Sequence, residues 1–126
     1  MGLAEEEELH PGNHDFLKHI QLPNGKEHLP KILLAHHPEF FEDYLKDTKK
    51  MPDLVFSGHA HGGQVILPFI GGLFAPGQGA NPTYDFGMYV SKKDPSKRMI
   101  VSRGLGNSTF PLRINNRPEV VVVTLE

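Results

Sequence analysis

The sequence predicts an α/β fold built on a mixed β-sheet with few helices, weighted toward β-structure in its last two thirds. Two short apolar runs, 31–35 and 53–57, flank a segment with helical spacing, which is the order of a strand–helix–strand unit. Two later apolar stretches, 86–91 and 99–103, are separated by a polar turn and favour a hairpin. Because one domain is typically about 100–150 residues, residues 1–126 are predicted to form a single domain.

The elements of the first half follow from local patterns. Residues 1–9 are polar and acidic and favour a loop or the frayed start of a helix. A short helix is predicted over 15–21 and a buried strand over 31–35. Pro38 suits the first position of a helix, and aromatic and leucine side chains then recur at helical spacing. We therefore predict an amphipathic helix over 38–48.

The second half is predicted to consist of strands and glycine-rich connections. After the strand 53–57, glycine and histidine dominate 58–63, a strand resumes at 64–67, and 68–83 is irregular because it is rich in glycine and proline. The hairpin at 86–103 is followed by a loop over 104–109 and an extended stretch over 111–113. Four valines predict a last strand over 119–125.

Composition excludes several classes of function. The net charge of −2 and the scattered basic residues argue against nucleic-acid binding. The absence of cysteine excludes disulfides and thiolate metal sites. The apolar stretch 65–74 is interrupted by proline and glycine and is shorter than the roughly 20 residues of a membrane span. The acidic start does not resemble a signal peptide, and the location stays open between cytoplasmic and membrane-associated.

Histidines beside strand ends carry the strongest chemical signal. The string Gly58-His59-Ala60-His61-Gly62-Gly63-Gln64 follows the strand 53–57 directly. Residues two apart in an extended backbone point the same way, so His59 and His61 can converge on one small region. Neutral imidazole is a common metal ligand. The alternative is a pair of surface histidines in a flexible loop.

A second cluster, Ala35-His36-His37-Pro38-Glu39, follows the other apolar run. One of its two histidines is the candidate ligand, and the alternative assigns His37 to a helix start and His36 to a half-buried structural role. Arg103, Asn107 and Arg113 can contact phosphate, but structural roles are favoured for them.

Together these two strings resemble the calcineurin-like metallophosphoesterases. The run from Leu67 to Pro76, the string Val101-Ser102-Arg103-Gly104-Leu105-Gly106 and the closing Pro118-Glu119-Val120-Val121 are similar to a bacterial branch, the YkuE/YaeI-like phosphoesterases. The resemblance covers roughly 31–126 and implies part of a four-layer α/β/β/α sandwich whose N-terminal half is largely missing. It also implies a phosphomonoesterase or phosphodiesterase acting through two divalent metals, namely Mn, Fe or Zn.

The resemblance also implies roles for individual histidines. His36 and His59 would bind one metal and His61 the other, whereas His37 falls on a position that is not a ligand in the family. Bridging hydroxide attacks phosphorus in such two-metal sites while the metals neutralise charge on the phosphate oxygens.

The sequence departs from the family pattern upstream of these histidines. It contains no Gly-Asp dipeptide and no Asp-x-His before residue 31, so at most one metal is well ligated by this chain. Gly12-Asn13-His14-Asp15 matches a third family motif, in which Asn13 would ligate metal and His14 would assist the leaving group. No strand-like segment precedes it, so a retained motif and a chance match both stay open.

Two consequences follow. The chain is predicted to expose a sheet face and to associate, either as a homo-oligomer or with a partner that supplies the missing half. Besides a phosphoesterase acting on phosphate esters, the alternatives are a catalytically inactive metal-binding fragment, or half of a split enzyme, and a purely structural fragment.

Overall fold

A computed structural model describes residues 1–3 and 15–126. Asn13 and His14 lie outside the described residues. The regular elements are β1 Ile32–Leu34, a 3₁₀ turn Pro38–Phe40, α1 Phe41–Tyr44, β2 Leu54–Ser57, a 3₁₀ turn His61–Gly63, β3 Ile66–Leu67, β4 Gly71–Gly72, β5 Phe74–Ala75, β6 Gly79–Ala80, β7 Gly87–Val90 and β8 Arg98–Val101.

The main sheet has the strand order β1-β2-β8-β7. Strands β1, β2 and β8 are parallel, and β7 pairs antiparallel with β8. Two small hairpins, β3-β4 and β5-β6, occupy the glycine-rich segment between β2 and β7. The α/β class, the strands predicted over 31–35 and 53–57, and the hairpin over 86–103 are therefore confirmed.

One face of the sheet carries the core. Leu33, Val55 and Met99 lie in register across the three parallel strands and are fully buried. Phe41 and Tyr44 of α1 cover them, and Phe16 packs edge-on against the Tyr44 ring at a centroid distance of 5.3 Å. Burying such aliphatic and aromatic side chains contributes roughly 1.5–3 kcal/mol each.

The opposite face of the sheet is largely uncovered. Leu34 is 57% exposed and Met88 is 64% exposed, and these two residues lie in register through Phe56 and Ile100. The exposed apolar face predicted from the sequence is therefore present in the part of the chain that is described.

Two predicted helices are wrong in extent. Over 15–21 the chain forms turns, closed by hydrogen bonds from Lys18 N–H to the Asp15 carbonyl and from Ile20 N–H to the Leu17 carbonyl, both at 3.1 Å. The helix predicted over 38–48 is a 3₁₀ turn followed by four α-helical residues. The Asp47 carboxylate accepts a hydrogen bond from Lys49 N–H at 2.9 Å, which stabilises a turn where the helix would have continued.

The strand predicted over 119–125 is also wrong. No strand forms there, and Val120 and Val122 are 74% and 87% exposed. A β-strand needs a neighbouring edge to satisfy its backbone groups, and this segment pairs with none of the described strands. Glu119 anchors the segment among the described residues: its carboxylate pairs with Arg103 at 2.7 Å, and its N–H donates to the Gly104 carbonyl at 3.2 Å.

Glu119→Gln is expected to destabilise the fold only above acidic pH. The hydrogen bond from Arg103 lowers the pKa of Glu119 below its usual 4.5, more than burial raises it. A lowered folded-state pKa means that the stabilisation is complete above the unfolded pKa and is lost as the pH falls through the folded pKa. Since the Arg103–Glu119 ion pair is partly solvated, we expect the substitution to lower the free energy of unfolding by about 0.5–1 kcal/mol at neutral pH.

Urea unfolding at neutral pH and below pH 4 measures this loss. The exposed Glu126→Gln substitution serves as the matched control, because it removes the same charge without breaking an ion pair. Equal losses of stability for Glu119→Gln at both pH values would show that the ion pair contributes nothing.

Asp85 ties the small hairpins to the main sheet. Its carboxylate accepts hydrogen bonds from Gly72 N–H at 2.8 Å and from the Tyr89 hydroxyl at 2.6 Å. Burial and the bond to Asp85 raise the pKa of Tyr89 to about 12, so the phenol stays protonated as a donor. The segment that follows the histidine loop is thereby held against β7.

Across residues 1–3 and 15–126, no helix has the length and apolar character that crossing a membrane requires.

Candidate metal centre

The parallel pairing of β1 and β2 brings the two histidine clusters together. Leu34 and Phe56 are register partners, so the chain segments that leave both strands emerge side by side at the same sheet edge. The pairing continues past the strands, because Gly58 N–H donates to the His36 carbonyl at 3.3 Å and Ser57 Oγ donates to it at 2.9 Å. As a result, His59 Nδ1 lies 3.1 Å from His36 Nε2.

The loop after β2 turns sharply because its backbone adopts left-handed angles. His59 has φ 59°, His61 has φ 48° and Gln64 has φ 59°, values that non-glycine residues rarely take. Such angles cost about 1–3 kcal/mol each, so the surrounding contacts must stabilise them. Left-handed angles of this kind cluster at ligand and catalytic sites.

Gly62 and Gly63 make the turn sterically possible. A Cβ on Gly62 would lie 2.6 Å from Arg103 Cγ, and a Cβ on Gly63 would collide with Gly72 Cα. Both residues also have positive φ. The Gly-Gly pair therefore lets the loop approach the β3-β4 hairpin and the Arg103 side chain more closely than any other residue type would allow.

Asn116 holds this loop from a distant part of the chain. Its Nδ2 donates to the His61 carbonyl at 2.6 Å and to the Gln64 carbonyl at 3.2 Å, and the side chain is buried. Gln64 Nε2 in turn donates to Ser108 Oγ. These contacts fix the backbone on which His61 is carried.

His61 is kept in its neutral form. Burial lowers its pKa below the usual 6.5, and the electrostatic influence of Arg113 and, to a smaller extent, of His36 lowers it further, against the raising effect of a hydrogen bond to the Gly106 backbone. Since only neutral imidazole ligates a metal, a lowered pKa favours binding.

His37 and Glu39 extend the cluster. His37 Nδ1 lies 3.1 Å from Glu39 Oε1, and the rings of His37 and His59 are 4.1 Å apart. One ligand atom from each of His37, Glu39 and His59 falls within 4.8 Å of the others. Glu39 Oε2 is buried and has no hydrogen-bond partner among the described residues.

The donor set fits a divalent transition metal. Two imidazole nitrogens on one tetrahedral ion, with bonds of about 2.0–2.1 Å, lie about 3.4 Å apart. The 3.1 Å separation of the His36 and His59 nitrogens is close to that spacing. Imidazole with a neighbouring carboxylate suits zinc, iron and manganese.

The predicted site residues divide into three groups. His36 and His59 meet directly, His61 does not join them in a group of ligand atoms within 4.8 Å of one another, and Asn13 and His14 lie outside the described residues. Arg103 and Arg113 bond protein groups: Arg103 pairs with Glu119, and Arg113 donates to the Arg103 carbonyl at 2.8 Å. Sequence reasoning missed Glu39 and Asn116, although Glu39 sits inside the quoted histidine motif.

Comparisons with known proteins identify the class. An uncharacterized metallophosphoesterase of Bacillus subtilis (strain 168), YkuE, is 38% identical over 124 residues, which is 98% of this chain and 40% of that protein. Phosphodiesterase YaeI of Escherichia coli (strain K12) is 34% identical over 82% of this chain and 35% of its own length. UDP-2,3-diacylglucosamine pyrophosphatase LpxG of Chlamydia muridarum (strain MoPn / Nigg) is 35% identical over 75% of this chain and 29% of its own length.

These relatives confirm the resemblance, and the chain belongs to the metallophosphoesterases. Its branch is the one that includes YkuE and YaeI. Metallophosphoesterase relatives imply divalent metal cofactors. The chain spans about 40% of the length of YkuE. No protein-family model and no solved structure matches it.

Proposed function

We propose that this chain supplies the histidine-bearing part of a metal-dependent phosphoesterase. The observation that carries the proposal is the meeting of His36 and His59, whose ring nitrogens Nε2 and Nδ1 lie 3.1 Å apart. Burial lowers the pKa of His61, two residues further along the chain, which favours the neutral form that binds metal. Imidazoles from two separate motifs, converging at the carboxyl ends of parallel strands, form the kind of site that α/β enzymes use.

In this proposal His36 and His59 hold one metal and His61 holds the second. When bound, Mn, Fe or Zn ions neutralise charge on the phosphate ester and lower the pKa of a bound water. The chain's own residues position the ligands: Asn116 fixes the His61 backbone, and Gly62 and Gly63 permit the turn. Asn13 as a further ligand and His14 as the group that assists the leaving oxygen remain part of the proposal.

A complete dinuclear centre needs more ligands than this chain offers. The sequence has no Gly-Asp dipeptide to supply a bridging aspartate. We propose that the described sheet is one half of a four-layer α/β/β/α sandwich, and that the missing half, as a partner or in a homo-oligomer, covers the exposed face around Leu34 and Met88. The same lack of aspartate favours a second candidate function, a catalytically inactive metal-binding fragment.

The proposed substrates are phosphomonoesters or phosphodiesters. Two relatives support this class, since YaeI is named a phosphodiesterase and LpxG a UDP-2,3-diacylglucosamine pyrophosphatase. Phosphomonoesters, phosphodiesters and pyrophosphates all contain a phosphorus atom flanked by ester or anhydride oxygens. Two-metal sites promote attack on such a phosphorus atom by in-line displacement.

Metal content and turnover test the proposal together. The purified chain is loaded with Mn²⁺, analysed for bound metal, and assayed with bis-p-nitrophenyl phosphate. We expect one firmly bound metal at His36 and His59, and Mn²⁺-dependent release of nitrophenol where the chain assembles a complete centre as a homo-oligomer. His61→Ala should remove that turnover while the metal at His36 and His59 stays bound. Bound metal without turnover in the parent chain would instead establish the inactive fragment, and absence of both would refute the metal centre.

A further inference from the structure

An apolar cavity borders the histidine loop of the candidate centre. It encloses about 530 Å³, within the range of roughly 300–1,000 Å³ typical of small-molecule sites. Its walls are mainly apolar and come from three separate segments, with Val65, Leu73, Phe74, Pro76 and Phe110 as the principal lining residues.

The cavity and the candidate centre share two chain segments. The first is the histidine loop, because Gly63 and Gln64 line the cavity and follow His61 directly. The second is the loop after β8, in which the Gly106 backbone bonds His61 while Ser108 and the two residues after it line the cavity. A ligand bound at His61 would therefore lie next to the backbone turn whose following residues line the cavity.

Most polar groups at this junction are bonded within the protein, but Gln64 Oε1 is buried and has no hydrogen-bond partner among the described residues. Gln64 Nε2 donates to Ser108 Oγ, and the Gln64 carbonyl accepts from Asn116 Nδ2. The Leu73 N–H donates to the Val65 carbonyl at 2.9 Å, so the hairpin backbone is satisfied within itself. The groups that line the cavity are therefore chiefly apolar side chains. Such a lining favours an apolar ligand, because both surfaces are removed from water on binding.

The geometry points to an alkyl- or acyl-chain site: the cavity holds the apolar chain of an amphiphilic phosphate ester whose phosphate lies at the histidine centre. This inference rests on the proposed function and narrows its substrate class to phosphate esters that carry a hydrocarbon chain. The shared chemistry is a hydrocarbon chain of roughly eight carbons or more, from a free amphiphile or a lipid, since each buried methylene strengthens binding roughly fourfold.

A chain-length series tests the inference by binding rather than by turnover. Hexyl, octyl and decyl phosphate are titrated into the Mn²⁺-loaded chain by calorimetry, below their micelle concentrations. We expect affinity to rise roughly fourfold for each added methylene. In Val65→Trp, which fills the cavity, the rise with chain length should disappear. Repeating the series with decyl phosphate in phosphatidylcholine vesicles separates a free amphiphile from a lipid-borne one.

Two further variants keep the test decisive. Thr109→Trp fills the same cavity from an exposed loop position, so it serves if Val65→Trp does not fold. Phe69→Asn is the matched control, because it removes a fully exposed aromatic ring from the β3-β4 hairpin without touching the cavity, and asparagine tolerates the φ of 68°. An affinity independent of chain length, or equal weakening by Phe69→Asn, would overturn the inference.

The same titrations separate this inference from the proposed function. If the chain-length effect persists without Mn²⁺ and alkanols of the same length reproduce it, the cavity binds alkyl chains but the proposed phosphate site is refuted. If methyl phosphate binds in a Mn²⁺-dependent manner and longer chains add no affinity, the phosphate site is supported and the alkyl-chain role of the cavity is refuted.

Discussion

His59→Ala is expected to remove metal binding, with a loss of affinity of at least about 100-fold. Losing a residue that merely supports a ligand already costs about 10–100-fold, so losing a ligand costs more. His59 lies 3.1 Å from His36 and 4.1 Å, ring to ring, from His37, so it belongs to every ligand set that this cluster can form. Calorimetric titration with Mn²⁺ and metal analysis of the dialysed protein measure the loss.

Two neighbouring substitutions then choose between ligand sets. If His36, His59 and His61 bind metal, His36→Ala should weaken binding as strongly as His59→Ala, and Glu39→Gln should leave it nearly unchanged. If the ligands are instead His37, Glu39 and His59, Glu39→Gln should weaken binding strongly and His36→Ala should leave it nearly unchanged. His28→Ala, which removes an exposed imidazole that belongs to neither histidine cluster, should change nothing. Full metal binding by His59→Ala, with an unchanged melting temperature, would end the proposal of a metal centre.

The meeting of the two histidine clusters could be predicted because it depends on few physical rules. Short apolar runs predicted buried strands in the order strand–helix–strand, an order whose connection joins parallel neighbours. Leu33 and Val55 indeed pair in parallel, and this register places His36 beside His59. The spacing of apolar residues and the length of the connection were sufficient to expect this meeting, since parallel neighbouring strands end at the same edge of a sheet.

What could not be predicted depends on contacts between distant residues. Asn116 reaches the His61 carbonyl across 55 positions, and no local pattern distinguishes it from the adjacent Asn115. The positive φ of His59 and His61 contradicts local preference and exists because tertiary contacts hold it. The valines after Glu119 have a strand composition, but composition cannot provide the partner edge that a strand requires.

The glycines of the histidine loop give the second large effect, since Gly63→Ala is expected to destabilise the fold by about 2–5 kcal/mol. The added Cβ would collide with Gly72 Cα and lie 2.8 Å from the Gly72 carbonyl carbon, at a φ of 71°. Relief requires the histidine loop to move away from the β3-β4 hairpin. That movement would disturb both His61 and the Val65–Leu73 wall of the cavity, so metal affinity should fall as well.

Gly79→Ala separates the two causes of this loss. Gly79 has a φ of 74°, nearly the same as Gly63, but among the described residues no atom beyond its chain neighbours lies within 4 Å of the Cβ that the substitution would add. It should therefore cost only about 1–2 kcal/mol, the penalty of a left-handed backbone. Urea unfolding of both variants isolates the steric cost as their difference. Equal losses would mean that the loop does not depend on its close approach to Gly72, and the turn that presents His61 would then need another explanation.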